Sequence, residues 1–265
     1  MTGMTTEAPE LLIEVDGRPA TESDLRMRAL NNYGHFTAMQ VRGGGVRGID
    51  LHVARLDAAS QELFGVGVAG ERVRALLRHA LGDVEDASAR VYVHQAELPS
   101  ELSLMVTVRP PAVPDERAVS LMSVAYERPA AHLKHLGGFG QIYHGHRAVR
   151  AGFDDALLTG PGGVVLEGSI ANVGFWDGSS VIWPQGAILT GITMALVEPR
   201  LASAGLPSVR REVTLSELAG FRAAFHTNSH GVVPVSRIDD VEFPGDAELL
   251  ARVRAVYESM EWERP

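Results

Sequence analysis

Apolar residues in the first half of the chain alternate in some stretches and recur every three or four residues in others. Alternation bounded by glycine or proline predicts strands, and the longer spacing predicts helices. The predicted strands are residues 11–15, 36–42, 46–51, 90–95, 103–108 and 119–125. The predicted helices are residues 52–63 and 71–81. This half is therefore expected to be a sheet with two helices packed on it.

The second half continues with the same two patterns. Helices are predicted at residues 140–151, 192–205, 214–220 and 247–260, the first ended by Gly152. Strands are predicted at residues 155–159, 164–167, 171–176, 181–183, 225–228 and 232–238. Two segments indicate a domain boundary, the proline-bearing loop 109–115 and the segment 126–132. The boundary is placed near residue 128, which divides the chain into domains 1–128 and 129–265. The fold class is α/β.

Composition narrows the classes of protein that fit. Apolar residues make up 45% and charged residues 22% of the 265 positions, as in ordinary globular proteins. The net charge of −9 disfavours a nucleic-acid partner. No apolar stretch reaches the ~18 residues that a membrane span needs, and residues 1–10 lack the apolar core of a signal peptide. A cytoplasmic location is expected.

The basic residues are unevenly chosen, with 23 arginines and a single lysine, Lys134. A buried lysine amine loses its proton readily and then attacks carbonyl groups, which arginine does not do. Because the chain has no cysteine, thiolate nucleophiles and disulfides are excluded. Lys134 is therefore the candidate nucleophile.

One cluster has a spacing that is reminiscent of metal sites: Tyr143, His144 and His146. On a helix these residues are better explained as a polar face or a dimer contact. No metal site is predicted.

Five short motifs lie in one order along the chain, with Lys134 in the second. They are His52-Val53-Ala54-Arg55-Leu56, Lys134-His135-Leu136, Gly163 to Ser169 followed by Asn172, Ile188 to Thr193, and Thr227-Asn228-Ser229. Their order and spacing resemble the class IV aminotransferases. That family includes branched-chain and D-amino-acid aminotransferases and aminodeoxychorismate lyase.

The resemblance implies that pyridoxal 5'-phosphate is the cofactor, held by Lys134 as a Schiff base. Glu167 then faces the pyridine nitrogen, and Arg55 clamps the phosphate. The backbone after Gly191, at Ile192 and Thr193, is expected to bind the same phosphate, as helix N-termini bind anions. The remaining cofactor-binding residues that the resemblance implies are Asn172, Asn228 and Ser229.

The same resemblance implies a two-domain fold and an activity. The smaller N-terminal α/β domain and the larger C-terminal mixed-sheet domain are expected to hold the cofactor between them, usually in a homodimer. The implied reaction transfers an amino group between an amino acid and a 2-oxo acid, both small molecules.

Three residues of the N-terminal half bear on the substrate. The resemblance implies that Phe36, Tyr92 and His94 contact the substrate, since Tyr92 and His94 stand where branched-chain aminotransferases place a tyrosine and an arginine. His94 binds a carboxylate only when it is protonated, and a structural role for this strand histidine stays open. Thr37 follows Phe36 as it does in aminodeoxychorismate lyase, which makes Thr37 a candidate catalytic group and a lyase the alternative activity. Thr37 as a solvent-facing strand residue stays open at this point, as does a binding protein without cofactor.

Overall fold

The computed structural model describes residues 7–95, 101–113 and 117–265. The first six residues of the segment 1–10, which was considered as a signal peptide, lie outside the described residues. The chain forms two compact units. The first takes its described residues from Met1–Val113, Leu133–Gly137 and Glu261–Pro265, and the second from Pro114–His132 and Gly138–Met260. None of the described helices combines the length and the apolar character needed to cross a membrane.

The first unit is built on a six-stranded antiparallel sheet, in the order β2-β1-β6-β5-β3-β4. Its strands are β1 Leu12–Val15, β2 Arg18–Pro19, β3 Gly34–Arg42, β4 Gly45–Val46, β5 Ala87–Gln95 and β6 Leu102–Arg109. Its helices are α1 Glu22–Leu30, α2 Ile49–Phe64 and α3 Gly70–Leu81. Leu56 of α2 and Leu77 of α3 pack with Val91 of β5 in one buried core, so α2 and α3 cover one face of the sheet.

The second unit is built on a nine-stranded mixed sheet, in the order β12-β11-β10-β13-β14-β7-β8-β9, with β15 beside β14. Its strands are β7 Val119–Ala125, β8 Asp155–Thr159, β9 Val165–Gly168, β10 Asn172–Trp176, β11 Val181–Pro184, β12 Ser208–Arg211, β13 Ala223–Asn228, β14 Gly231–Ile238 and β15 Val241–Glu242. Its helices are α4 Phe139–Arg150, α5 Ile192–Leu201 and α6 Ala247–Glu258. Trp183 and Phe225 meet edge to face at 5.4 Å in the core beneath α5 and α6.

The helix that carries the His52 motif is fixed at both ends by glycine. Gly48 precedes α2 and Gly65 follows it, both with positive φ, and the amide of Gly65 donates to the carbonyl of Gln61. Glycine adopts this left-handed conformation without the strain that a Cβ atom brings. These two turns set where α2 begins and ends, and with it the place of His52 and Arg55.

Several predicted elements differ from those observed. Residues 46–51 do not form a full strand, because Gly48 turns the chain and α2 begins at Ile49. The predicted helix 192–205 ends as α5 at Leu201 and continues as a short 3-10 turn, and residues 215–220 are also a 3-10 helix. The division into units also differs from the predicted boundary at residue 128, because β7 pairs with β8 and β14 of the second sheet.

Candidate active site

Lys134 lies on a short extended segment beside β3. The amide of Phe36 donates to the carbonyl of Lys134 at 2.9 Å, and the amide of Leu136 donates to the carbonyl of Gly34 at the same distance. This antiparallel alignment makes Lys134 the cross-strand neighbour of Phe36, and such neighbours share a face of the sheet. The Lys134 Nζ lies 4.8 Å from the centroid of the Phe36 ring.

The predicted substrate residues lie on that same face. Tyr92 is paired with Phe36 across β3 and β5, and their rings stack with centroids 5.4 Å apart. His94 follows two residues later, so it projects to the same side. Its side chain is only 2% exposed, and burial lowers its pKa to about 4, with a further contribution from the charge of Arg28. Near neutral pH the imidazole is therefore uncharged, so it does not supply a positive charge.

Thr37 projects to the opposite face of the sheet, toward α2, because strand side chains alternate. Its hydroxyl oxygen lies 2.6 Å from Nδ1 of His52, and both residues are buried. Burial, together with the nearby charges of Arg55 and Lys134, lowers the pKa of His52 to about 3. The structure thus places Thr37 in a buried hydrogen bond, which excludes the alternative of a solvent-facing strand residue.

Arg55 lies one helical turn after His52 on α2. Burial lowers its pKa to about 10, which still leaves the guanidinium charged at neutral pH. A buried cation of this kind favours an anionic partner, because the desolvation cost of its charge is offset by an opposite charge.

In the second unit, Glu167 at the end of β9 is held on both carboxylate oxygens. Nε of Arg128 donates to Oε1 at 2.7 Å, and the amide of Leu189 donates to Oε2 at 3.1 Å. Both side chains of the ion pair are more than nine-tenths buried. These bonds fix the direction in which the remaining lone pairs of Glu167 point.

Asn172 fixes the loop that leads into α5. Its amide nitrogen donates to the carbonyl of Leu189 at 2.7 Å, and its carbonyl oxygen accepts from the amide of Gly191 at 2.8 Å. A Cβ atom at Gly191 would overlap the Asn172 carbonyl oxygen, so the loop needs glycine there. The amides of Ile192 and Thr193 then begin α5, where N–H groups have no acceptor within the helix.

The turn between β13 and β14 is tied to the start of α5. The Thr193 hydroxyl donates to the carbonyl of Asn228 at 2.6 Å, and Ser229 follows in the same turn. The hydroxyl of the neighbouring Thr227 is buried without a hydrogen-bond partner among the described residues. The start of α5 and the turn at Asn228 therefore form one group of donors within the second unit.

The predicted site residues thus fall into two groups. Phe36, Thr37, Arg55, Tyr92, His94 and Lys134 belong to the first unit, and Glu167, Asn172, Gly191, Ile192, Thr193, Asn228 and Ser229 belong to the second. Their chemistry fits pyridoxal 5'-phosphate: an amine for the aldehyde, a carboxylate for the ring nitrogen, and a buried cation and helix amides for the phosphate. The unpartnered hydroxyl of Thr227 adds a donor for an anion.

Sequence reasoning assigned no role to Arg128 or His52. Arg128 stands between Glu127 and Pro129 in the segment taken as a domain boundary, where no periodicity marks it as buried. Its ion pair with Glu167 depends on contact between positions that are far apart in the chain. His52 stands within a quoted motif, and its position three residues before Arg55 on a helix was the available signal.

Comparisons with known proteins bear on the family of this chain. The family model for amino-transferase class IV matches residues 34–238. A probable branched-chain-amino-acid aminotransferase from Synechocystis is 30% identical over 112 residues, which cover 41% of this chain and 37% of that relative. The matched stretch therefore spans well under half the length of this curated relative.

Solved structures share the fold. A fold IV transaminase from Curtobacterium pusillum aligns with a TM-score of 0.81 at 22% identity, covering 95% of this chain and 100% of that one. A putative 4-amino-4-deoxychorismate lyase from Legionella pneumophila aligns with a TM-score of 0.79 at 20% identity, covering 88% and 93%. With the family model matched over most of its length, this chain belongs to the class IV aminotransferases.

Proposed function

We propose that this protein is a pyridoxal-phosphate-dependent aminotransferase that transfers an amino group between an amino acid and a 2-oxo acid. One observation carries the proposal. The chain's single lysine lies beside Phe36, with its Nζ over the aromatic ring, on the sheet face that also presents Tyr92 and His94. A lone amine among candidate substrate contacts is what a carbonyl-binding cofactor requires.

The two groups of residues divide the work of holding the cofactor. Lys134 would bind the aldehyde, Glu167 would pair with the ring nitrogen, and Arg55 and the amides of Ile192 and Thr193 would bind the phosphate. When bound, pyridoxal phosphate supplies an electron sink for charge that develops at the substrate α-carbon. Asn172 and Asn228 hold the phosphate-binding backbone in place.

Lys134 also moves the proton. The unprotonated Nζ would take the proton from the substrate α-carbon, hold it as an ammonium group and give it to the cofactor, as a positioned general base and then acid does. The Glu167 carboxylate favours the protonated ring nitrogen, since a nearby negative charge stabilises a positive one. Arg128 keeps that carboxylate oriented through its 2.7 Å bond.

The aromatic face selects and orients the substrate. Phe36 and Tyr92 present stacked rings on the side of the sheet that carries Lys134, and aromatic walls bury the apolar part of a small ligand. Neutral His94 offers a hydrogen bond rather than a charge.

A lyase that releases pyruvate is the second candidate, and the specific observation behind it is Thr37. Its hydroxyl oxygen lies 2.6 Å from Nδ1 of His52, so the hydroxyl and the neutral imidazole share a hydrogen bond. A lyase needs such a hydroxyl to hand a proton to the departing enol. The projection of Thr37 toward α2 favours a positioning role instead, and aminotransferase activity remains the first proposal.

We also propose that the protein is cytoplasmic and forms a homodimer. The homodimer draws support from α4, which carries four exposed apolar side chains in the second unit: Phe139, Ile142, Tyr143 and Val149. Ile170 is exposed as well, and the carbonyl of Ser169 before it accepts a hydrogen bond from Gln141 of α4 at 3.3 Å. Exposed apolar groups gathered on one element mark a contact surface. Sedimentation of the protein as a monomer at micromolar concentration would contradict the dimer.

A nitrogen-transfer experiment tests the activity. The protein loaded with pyridoxal phosphate is incubated with ¹⁵N-labelled amino acids and unlabelled 2-oxo acids, and mass spectrometry follows the label into new amino acids. Label transfer with at least one pair supports the proposal. Release of pyruvate from aminodeoxychorismate without label transfer from any amino acid would establish the lyase instead.

A further inference from the structure

A polar cluster of Arg28, His94 and Ser103 lies on the face of the first sheet that carries Lys134. His94 and Ser103 are direct partners across β5 and β6, so their side chains stand next to each other. Arg28, in the last turn of α1, donates from Nη2 to the Ser103 hydroxyl at 2.8 Å. The guanidinium is thereby held beside His94.

His94 is buried with unmet hydrogen-bonding capacity. Neither of its ring nitrogens has a partner among the described residues, although the side chain is 2% exposed. A buried polar atom that is left unpaired destabilises the fold. Such a side chain is well placed to pair with a group that a ligand brings.

Arg28 is a half-buried cation that takes part in no ion pair within the described ranges. Its Nε is buried without a partner, and Nη1 donates to the backbone carbonyl of Asp24. The two nearby carboxylates have partners of their own. Asp16 pairs with Arg72 at 2.9 Å and also accepts a hydrogen bond from the Ser103 hydroxyl at 2.9 Å. Asp24 pairs with Arg18 at 2.7 Å. Burial lowers the pKa of Arg28 despite those carboxylates, as expected for a cation that lacks a counter-ion in contact.

The cluster of Arg28, His94 and Ser103 lies away from Lys134, and therefore away from the substrate carbon that reacts. Two strand spacings of about 4.8 Å and one two-residue step of about 6.7 Å place the backbones of Lys134 and His94 about 12 Å apart. The Lys134 side chain leans over Phe36 and covers part of that gap. A substrate whose amino group is near Nζ therefore reaches Arg28 with its far end and not with the carboxylate next to the amino group.

We propose that Arg28, assisted by His94, binds the distal carboxylate of a dicarboxylic amino acid or 2-oxo acid, and so determines the substrate class of this enzyme. The inference rests on the proposed aminotransferase function. Arg28 supplies the charge that neutral His94 lacks, and a guanidinium pairs with a carboxylate through two parallel hydrogen bonds. Arg28 lies outside residues 34–238, which match the family model. The proposed specificity therefore depends on a residue that the matched region does not include.

Substitution of Arg28 tests the proposal. Arg28→Gln should lower kcat/KM for glutamate at least tenfold, mainly through KM, while changing kcat/KM for alanine less than twofold. Arg26→Gln is the matched control, because Arg26 is an exposed arginine of the same helix that pairs with Glu22. Equal effects of Arg28→Gln on glutamate and alanine would overturn the proposal.

A binding measurement separates this inference from the proposed activity. Calorimetry of the cofactor-loaded protein with glutarate should show binding that Arg28→Gln weakens at least tenfold and Arg26→Gln leaves unchanged. Arg28-dependent glutarate binding without any amino transfer would keep the anion site and reject the aminotransferase. Amino transfer with glutarate binding that Arg28→Gln leaves unaltered would do the reverse.

Discussion

Nε of Arg128 lies 2.7 Å from Oε1 of Glu167, and this ion pair is buried within the second unit. A buried pair in which one partner is removed leaves an uncompensated charge, which costs about 3–5 kcal/mol. The pair therefore links the orientation of Glu167 to the stability of the unit that holds it.

Removing either partner is expected to weaken both stability and activity. Glu167→Gln should lower the free energy of unfolding by about 3 kcal/mol and slow turnover by orders of magnitude, because the carboxylate that we propose pairs with the ring nitrogen is lost. Urea unfolding and steady-state kinetics measure the two effects.

A surface pair in the same unit serves as the control. Arg117 and Asp154 form an ion pair in which Arg117 is exposed, so Arg117→Gln should cost less than about 1 kcal/mol.

The double variant Arg128→Met with Glu167→Gln should lose less stability than the sum of the single changes. Strict additivity would contradict the direct pairing.

Lys134→Ala is expected to abolish turnover and leave the fold intact. The Nζ contact with the Phe36 ring is a cation–π contact that contributes about 0.5–1 kcal/mol when exposed, so the unfolding free energy should fall by no more than about 1 kcal/mol. Lys134→Arg keeps the positive charge but not the nucleophilic amine, and should be equally inactive. Substantial turnover by either variant would remove Lys134 from the mechanism.

Much of the fold follows from local pattern. β3, α3 and α4 are observed close to their predicted ranges, since each carries a clear alternation or a helical apolar stripe. Helix α1 was not predicted, because it buries none of its residues. Its one signal was the capping box between Thr21 and Asp24 at the start, which is a weaker cue than an apolar face.

The candidate site was predictable as a set of residues and not as a set of contacts. Three of the five motifs named Arg55, Lys134, Glu167 and Asn172, but nothing in a linear sequence shows that Arg128 contacts Glu167. Such a bond depends on β9 and the segment before Lys134 folding together, which is a tertiary property. The pairing of Thr37 with His52 depends in the same way on how α2 packs.

Gly191→Ala is expected to weaken cofactor binding. The added Cβ would overlap the carbonyl oxygen of Asn172 and displace the amide that now donates to it at 2.8 Å. We expect the Kd of pyridoxal phosphate to rise at least tenfold, measured by absorbance titration. Gly220→Ala, in the same unit, adds a Cβ into open space and should leave the Kd unchanged; an equal change in both variants would contradict the role of the loop.

Thr37→Val separates a catalytic hydroxyl from a positioning one. The change leaves buried Nδ1 of His52 without its partner at 2.6 Å and should cost about 1–3 kcal/mol of stability. As a positioning residue, Thr37 should affect amino transfer less than tenfold. Thr37→Ser keeps the hydroxyl and should retain near-normal values of both. Loss of pyruvate release in Thr37→Val, with amino transfer absent in the unmodified protein, would support the lyase.

The buried histidines of the first unit predict how stability depends on pH. Burial lowers the pKa of His35 to about 4, of His52 to about 3 and of His94 to about 4, each from an ordinary value of 6.5. The unfolded chain therefore binds more protons than the folded protein as pH falls below 6.5, so stability is fully present above that pH and is lost on acidification toward pH 3–4.

Each histidine contributes at most about 1.4 kcal/mol per pH unit to this slope. The carboxyl of Asp154 also loses its contribution to stability on acidification, because its pKa is lowered to about 2, chiefly by its bond to Arg117. That loss occurs below the ordinary carboxyl pKa of 3.8. The range from pH 6.5 to 4 therefore reports on histidine. His35→Asn should flatten the fall in unfolding free energy over that range, whereas His146→Gln, on the exposed side of α4, should leave it unchanged. Urea unfolding at half-unit pH steps gives the comparison, and an identical slope in His35→Asn and the unmodified protein would contradict a buried neutral His35.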